Sequence, residues 1–135
     1  MDMDLKPNFT PRAQEAIISA RKIAGDYDRR MITAAHLCYS LATLRSGTLE
    51  SFYNACGATP ENFVNFLKTK LTRGDRKPKG KPYFSSDFKK VLGQAVLQAE
   101  QYEHDYVGIE HILLSVYIQT IVHNHVIFQW PVSVP

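Results

Sequence analysis

The chain has 135 residues, of which 44% are hydrophobic and 21% charged, and its net charge at neutral pH is +3. This composition is that of a globular protein and excludes disorder over the whole chain. The length suits one domain, or two small repeats that share a core, and it is short for an ATPase that carries its own nucleotide-binding fold.

The excess of positive charge is confined to one stretch. Residues 73–81 carry five positive side chains and one negative side chain, and the charges elsewhere nearly cancel. We interpret this stretch as part of a solvated linker between two halves of the chain. A patch for an anionic partner, such as a nucleic acid, is the alternative.

No targeting or membrane-spanning segment is predicted. Residues 1–4 are acidic and no apolar run follows them, unlike a signal peptide. No window reaches the roughly 18 continuous apolar residues of a membrane span. The cysteines Cys38 and Cys56 lie at apolar helical positions, which indicates buried, reduced thiols. We therefore expect a cytoplasmic protein with no membrane partner.

Two helices are predicted in the first 44 residues. Thr10 can cap the first helix, Pro11 suits its first turn, and Gly25 is expected to end it. Thr33 can cap the second helix. The apolar positions that recur with helical spacing are Ala13, Ala16, Ile17, Ala20 and Ala24, followed by Leu37, Leu41 and Leu44.

Two further helices are predicted before the linker. A short third helix covers Thr48–Cys56 and ends at Gly57. The pair Thr59-Pro60 then repeats the cap and the proline of the first helix and begins a fourth one. The predicted buried residues of this fourth helix are Phe63, Phe66, Leu67 and Leu71.

The linker spans residues 72–82, and two helices follow it. Ser85 or Ser86 caps the fifth helix, and Gly108 and Ile109 lead into the sixth. The tail, residues 118–135, is rich in β-branched and aromatic side chains. Two interpretations of the tail stay open, namely an extended segment that covers the core or a poorly ordered one.

An internal repeat relates the two halves at a fixed distance of 75 residues. Six identities fall at cap, core and turn positions without any insertion. They are Phe9 with Phe84, Ala20 with Ala95, Ala24 with Ala99, Tyr27 with Tyr102, His36 with His111, and Ser40 with Ser115. No segment before residue 118 has a convincing strand pattern. The sequence therefore predicts an all-α, pseudo-twofold repeat bundle.

Two motifs in these repeats resemble those of the Clp-N repeat domain, which is the N-terminal domain of the Clp/Hsp100 unfoldases. That family opens each repeat with Phe-Thr-x-x-Ala, as in residues 9–13 here. It begins the second helix of each repeat with Gly-Thr-Glu-His-Leu-Leu. Residues 108–114 read Gly-Ile-Glu-His-Ile-Leu-Leu, and residues 33–37 read Thr-Ala-Ala-His-Leu. The ClpC type is the suspected nearest subtype.

The resemblance implies a bundle of eight helices, four in each repeat. On this basis residues 8–71 form the first repeat, 72–82 the basic linker, 83–117 a partial second repeat and 118–135 a divergent tail. The second repeat departs from the family pattern, since the tail does not match the last two helices of the first repeat.

No motif for nucleotide hydrolysis is present in this sequence. A P-loop requires Gly-x-x-x-x-Gly-Lys-Ser/Thr, so that backbone N–H groups and the lysine hold the phosphates. Gly80-Lys81 is followed by Pro82, and Asp75 stands where the first glycine is needed. We therefore expect a non-catalytic domain that needs no cofactor.

Neither a metal site nor a nucleophilic cysteine is predicted. Cys38 and Cys56 lack the Cys-x-x-Cys spacing of zinc ligands. His123 and His125 have no acidic or thiol ligand near them in the sequence. An ordinary structural role explains these four residues.

His36 and His111 occupy equivalent positions in the first turn of a helix. Their recurrence favours a shared structural role, such as a hydrogen bond to a neighbouring loop carbonyl. Contact with a ligand, in which Thr33 beside His36 could take part, is the alternative.

Glu110 is the sharpest candidate for a binding residue. A carboxylate in the first turn complements the helix dipole, which is its structural interpretation. The resemblance adds that in some relatives, notably the ClpC type, this glutamate helps to hold the phosphorylated arginine that marks substrates. Here Ile109 replaces the motif threonine, and Ala35 replaces the first-copy glutamate. We expect weak or absent phosphoarginine binding, and submicromolar two-site binding in a calorimetric titration would contradict this.

The resemblance implies a protein-interaction domain that is monomeric when free. Its partner would be a Clp adaptor, a substrate or the Clp ATPase itself, either as an accessory subunit or as a decoy for adaptors. A small helical nucleic-acid binder is the alternative function. It would use the stretch Arg73–Lys81 together with Arg29 and Arg30.

Overall fold

In the computed structural model of the chain, the described residues are 8–44, 60–74 and 79–119. The predicted helix Thr48–Cys56, the tail from residue 120 and the side chains of Phe63 and Phe66 lie outside this description. The described elements are α1 (Pro11–Asp26), β1 (Met31–Ile32), α2 (Ala34–Leu44), α3 (Pro60–Lys70), β2 (Tyr83–Phe84), α4 (Ser86–Gln101) and α5 (Ile109–Tyr117). The predicted all-α class is confirmed, with two minimal strands added.

The first helix of each repeat begins and ends at equivalent residues, since α1 and α4 both run for 16 residues, 75 positions apart. The side chain of Thr10 accepts a hydrogen bond from the backbone N–H of Ala13 at 3.1 Å. Ser85 accepts the equivalent bond from Phe88 at 3.2 Å. Both predicted caps are therefore confirmed, each satisfying an N–H group that has no partner inside the helix.

Both of these helices end in the same type of turn. The first does not end at Gly25, where its end was predicted. Helix α1 continues to Asp26, and Asp28 takes the left-handed conformation with φ of 55°. Glu103 has φ of 57° at the equivalent position after α4. The N–H of Arg29 reaches back to the carbonyl of Ala24 at 2.9 Å. This bond, made across a left-handed residue, defines the Schellman motif.

The second helix of each repeat packs closely on the first. Small residues on α1 permit this approach, because Ala13, Ala16 and their neighbours in the stripe are fully buried. The buried hydroxyl of Ser40 donates to the carbonyl of Ala16 at 2.6 Å, and that of Ser115 donates to Val91 at 2.5 Å. The identity of Ser40 and Ser115 therefore reflects one repeated helix-to-helix hydrogen bond.

Short parallel strand pairs join the two repeats. Ile32 in β1 pairs with Phe84 in β2, and an isolated bridge joins Phe9 to Val107. A shift of 75 residues exchanges these two pairings. The segment before the first helix of each repeat therefore lies beside the segment before the second helix of the other repeat. Two-residue strands are too short to leave an alternating pattern, which is why the sequence did not predict them.

Helix α3 completes the first repeat as described. It packs against α2, and Leu67 and Leu71 are buried, as predicted. After α5, Ile118 keeps helical backbone angles, with φ of −61° and ψ of −46°. No helix within the described ranges is both long and apolar enough to cross a membrane.

Candidate binding sites at two equivalent helix starts

His36 and His111 cap the helices on which they lie. The Nδ1 atom of His36 accepts a hydrogen bond from the backbone N–H of Thr33 at 2.9 Å, and Nδ1 of His111 accepts from Gly108 at 2.9 Å. The shared structural role is confirmed, but the expected carbonyl partner was wrong, because Nδ1 is an acceptor here. Its proton therefore lies on Nε2 in both rings.

Both imidazoles are held in the neutral form by their surroundings. His36 is 4% exposed and His111 is 2% exposed. Burial lowers the pKa of His36, the charge of Arg29 lowers it further, and Asp87 opposes the shift. Burial also lowers the pKa of His111, against the opposing charge of Glu110. A neutral ring keeps the lone pair on Nδ1 that the cap requires.

In the second repeat, His111 has a partner on its other ring nitrogen. Its Nε2 lies 2.8 Å from Nδ1 of His104. The ring of His104 stacks on Tyr106 with the centroids 5.0 Å apart. Both nitrogen atoms of His111 are therefore satisfied inside the second repeat.

The carboxylate of Glu110 folds over the start of its own helix. Its Oε2 accepts a hydrogen bond from the hydroxyl of Tyr106 at 3.3 Å. Its Oε1 lies so close to Gly108 that a Cβ there would collide with it. Burial, and then Glu110, raises the pKa of Tyr106. Ile109 is buried in the core. The geometry places Glu110 where a carboxylate complements the helix dipole.

In the first repeat, the turn that leads into α2 borders an open cleft. Ala35 replaces Glu110, and Arg29 replaces His104. We call this space the first-repeat cleft, and its volume is about 450 Å³. Its lining residues are Asp28, Arg29, Arg30, Met31, Thr33, His36, Thr72 and Tyr83. Sequence reasoning missed this cleft.

Arginine side chains fasten the described parts of the linker to the first repeat. Arg29 donates to the carbonyl of Thr72 at 2.8 Å, and Arg30 donates to that of Lys79 at 3.1 Å. Arg73 donates to the carbonyl of Asp26 at 2.9 Å and pairs with Asp28 at 3.2 Å. The linker is therefore held in place on both sides of residues 75–78.

The described thiol is inert, and no metal centre is formed by the described residues. Cys38 is buried and free, and burial raises the pKa of its thiol to about 12. Among residues 8–44, 60–74 and 79–119, no three histidine, cysteine or acidic side chains form a group that could hold a metal ion. Cys56, His123 and His125 lie outside the described residues.

The repeated caps, the crossed strand pairs and the paired helix starts define a class, the pseudo-twofold helical repeat domain. Within that class the chain belongs to one family. Its residues 8–127 match the family described as the Clp repeat (R) N-terminal domain. The resemblance inferred from residues 9–13 and 108–114 is thereby confirmed at the level of the family.

Curated relatives are chaperones of much greater length. The chain is 28% identical over 118 residues to chaperone protein ClpB of Bacillus anthracis, and the match covers 84% of this chain and 14% of that protein. It is 28% identical over 109 residues to ClpB of Nitratidesulfovibrio vulgaris, with 77% and 13% covered. The chain thus spans about one seventh of the length of the curated relatives it matches.

Solved structures share the fold at lower identity. The Hsp104 N-terminal domain from Candida albicans superimposes with a TM-score of 0.72 at 18% identity, covering 87% of this chain and 79% of that one. The N-terminal domain of ClpD from Arabidopsis thaliana gives a TM-score of 0.61 at 23% identity, with 82% and 75% covered. These likenesses support the Clp-N helical fold.

Proposed function

We propose that this chain is a non-catalytic docking domain that binds an adaptor or substrate protein for a Clp ATPase. Membership of the family supports the link to Clp chaperones. The observation that carries the docking role is an exposed apolar surface on the two strands. We call it the seam surface and define it by Met31, Tyr83 and Phe84, which are 41%, 46% and 36% exposed.

The two aromatic side chains of the seam surface pack against neighbouring residues. Phe84 stacks on the buried Phe88 with the ring centroids 4.6 Å apart. The guanidinium of Arg30 lies over the ring of Tyr83, 5.0 Å from its centroid. Exposed aromatic and methionine side chains are typical of protein interfaces. Because these rings are already packed, little of their side-chain entropy would be lost when a partner binds.

The alternative of nucleic-acid binding receives less support from the contacts. Arg29, Arg30 and Arg73, three of the guanidinium groups it would use, donate to backbone carbonyls of the chain itself. These bonds hold the three guanidinium groups against the chain, so each keeps only part of its five N–H donors for a run of phosphates. The ClpC type as the nearest subtype stays a prediction. Weak or absent phosphoarginine binding, expected from Ile109 and Ala35, stays a separate one.

The docking role is tested by removing the seam surface. We expect the double variant Met31→Ser and Tyr83→Ser to bind unfolded, fluorescently labelled β-casein about tenfold more weakly, because apolar contact area is lost. Binding is measured by anisotropy in roughly 1 M salt, where the Debye length is about 3 Å and charge attraction is screened.

Leu97→Ser is the matched control for this experiment. Leu97 is 52% exposed and lies in the last third of α4, about 16 Å along the helix from its start. This variant should bind β-casein as the unchanged chain does. No binding by the unchanged chain, or an equal loss in Leu97→Ser, would contradict the docking role.

A further inference from the structure

We propose that the first-repeat cleft is a carboxylate pocket that receives an acidic side chain of the protein partner. The inference rests on the proposed docking function and adds the chemistry of the residue that is recognised. Its three supports are a buried donor of His36, the charge of the lining, and the arrangement of Glu110 in the second repeat.

His36 brings an unused hydrogen-bond donor to the cleft. Its Nδ1 is occupied by the N–H of Thr33, so Nε2 carries the proton. In the second repeat the equivalent Nε2 meets His104. In the first repeat, Arg29 stands at the position equivalent to His104, and its guanidinium donates to Thr72 and not to His36. Within the described residues the Nε2–H of His36 therefore has no acceptor, although the ring is 4% exposed and lines the cleft.

A buried donor without an acceptor is unfavourable, so such groups usually have a partner. By the equivalence of the two histidines, Nε2 of His36 points towards the position of Arg29, which also lines the cleft. An acceptor placed in the cleft would therefore satisfy the ring. This is the observation that points to a ligand.

The charge of the cleft selects an anion. Arg29 and Arg30 line it, and the charge of Asp28 is offset by Arg73 at 3.2 Å. Helix α2 begins at Ala34, so the positive end of its dipole also faces this region. A carboxylate can accept hydrogen bonds from an imidazole N–H and a guanidinium at once.

The second repeat carries a carboxylate of its own at the equivalent helix start, although its partner there is a tyrosine and not the histidine. There, the Glu110 carboxylate lies over the start of α5 and bonds to Tyr106. At the equivalent place in the first repeat, Ala35 has no carboxylate to offer. A glutamate or aspartate of a partner would supply the carboxylate that the first repeat lacks.

A protein carboxylate is favoured over a nucleic-acid phosphate by what borders the cleft. Met31 and Tyr83 belong both to its lining and to the seam surface. An acidic residue flanked by apolar ones would therefore contact the cleft and the seam surface together. A nucleic acid has no apolar side chains for the second contact.

The test uses two end-blocked, labelled peptides, one with a central glutamate flanked by leucines and one with glutamine in its place. We expect the glutamate peptide to bind at least about tenfold more tightly, as the loss of a charge-assisted hydrogen bond implies. In a nitrogen-15 NMR titration, the imidazole signals of His36 should shift, and those of His111 should not.

Two variants and one control make the test specific. Arg30→Gln should weaken binding of the glutamate peptide about tenfold. Ala35→Glu should also weaken it without lowering the melting temperature, because a carboxylate in the first turn of α2 suits the helix dipole but repels an acidic side chain. Arg21→Gln removes an exposed positive charge of α1 that does not line the cleft, and it should leave binding unchanged.

Several results would overturn the carboxylate pocket. The first three are equal affinity for the two peptides, an equal loss of affinity in Arg21→Gln, and unchanged NMR signals of His36. The fourth is that the glutamate peptide does not bind on its own account and only displaces a bound single-stranded oligonucleotide. The docking function would survive the first of these if Met31→Ser weakened both peptides. The docking function and the carboxylate pocket would both be contradicted only if neither peptide nor β-casein bound to the chain.

Discussion

A buried histidine takes the third position of α2 and of α5, where a glutamate or glutamine stands in an ordinary capping box. His36 and His111 accept the N–H of the capping residue through Nδ1. The first repeat offers Thr33 and the second offers Gly108 at the cap. The histidine is therefore the common part of the two helix starts, which explains its recurrence better than a ligand does.

This capping role makes stability dependent on pH. Burial holds the pKa of both histidines below the ordinary 6.5 in the folded chain, so below pH 6.5 the unfolded chain binds more protons. The free energy of unfolding should have its full value above about pH 6.5 and should decrease as the pH falls below 6.5. Urea unfolding at a series of pH values measures this.

His111→Gln isolates the contribution of one histidine, because glutamine can still accept from the cap N–H but does not titrate. The variant should lose less stability than the unchanged chain between neutral pH and about pH 5. An identical pH dependence in both proteins would show that protonation of His111 has no part in it.

At the scale of the elements, the turn after each first helix depends on a left-handed residue that is not glycine. Glu103 is exposed and has φ of 57°. Glycine adopts this conformation without a steric cost. We expect Glu103→Gly to raise the free energy of unfolding by about 0.5–1 kcal/mol, measured by urea denaturation.

Lys90→Gly is the opposite control for this prediction. Lys90 is exposed in the interior of α4, where glycine should lower the free energy of unfolding by about 1 kcal/mol. If both glycine variants were destabilised alike, the left-handed turn would carry no strain that glycine relieves.

Local sequence signals predicted the helices because each cap, apolar stripe and repeat position carries its own residues. Thr10, Pro11 and Ser85 fixed the helix starts in this way. Gly25 was misleading, because the residue after the helix that turns the chain is Asp28. The first-repeat cleft could not be predicted, since it forms only when Thr72 and Tyr83 return to Thr33 and His36.

At the scale of the whole molecule, the crossed pairings make the two repeats one structure. The N–H of Ser85 donates to the carbonyl of Ile32 at 2.9 Å, and the N–H of Thr10 donates to that of Val107 at 3.0 Å. The first of these bonds holds β2 beside β1 and so assembles the seam surface from both repeats. The proposed docking surface therefore needs both repeats.

Hydrogen exchange of the chain with and without unfolded β-casein tests the docking role most directly. We expect slower exchange in residues 30–33 and 82–85, which carry the seam surface. Residues 105–108, the equivalent turn of the second repeat, serve as the internal reference and should exchange at an unchanged rate. Protection confined to residues 105–108 or to α4, or no protection anywhere, would contradict the account.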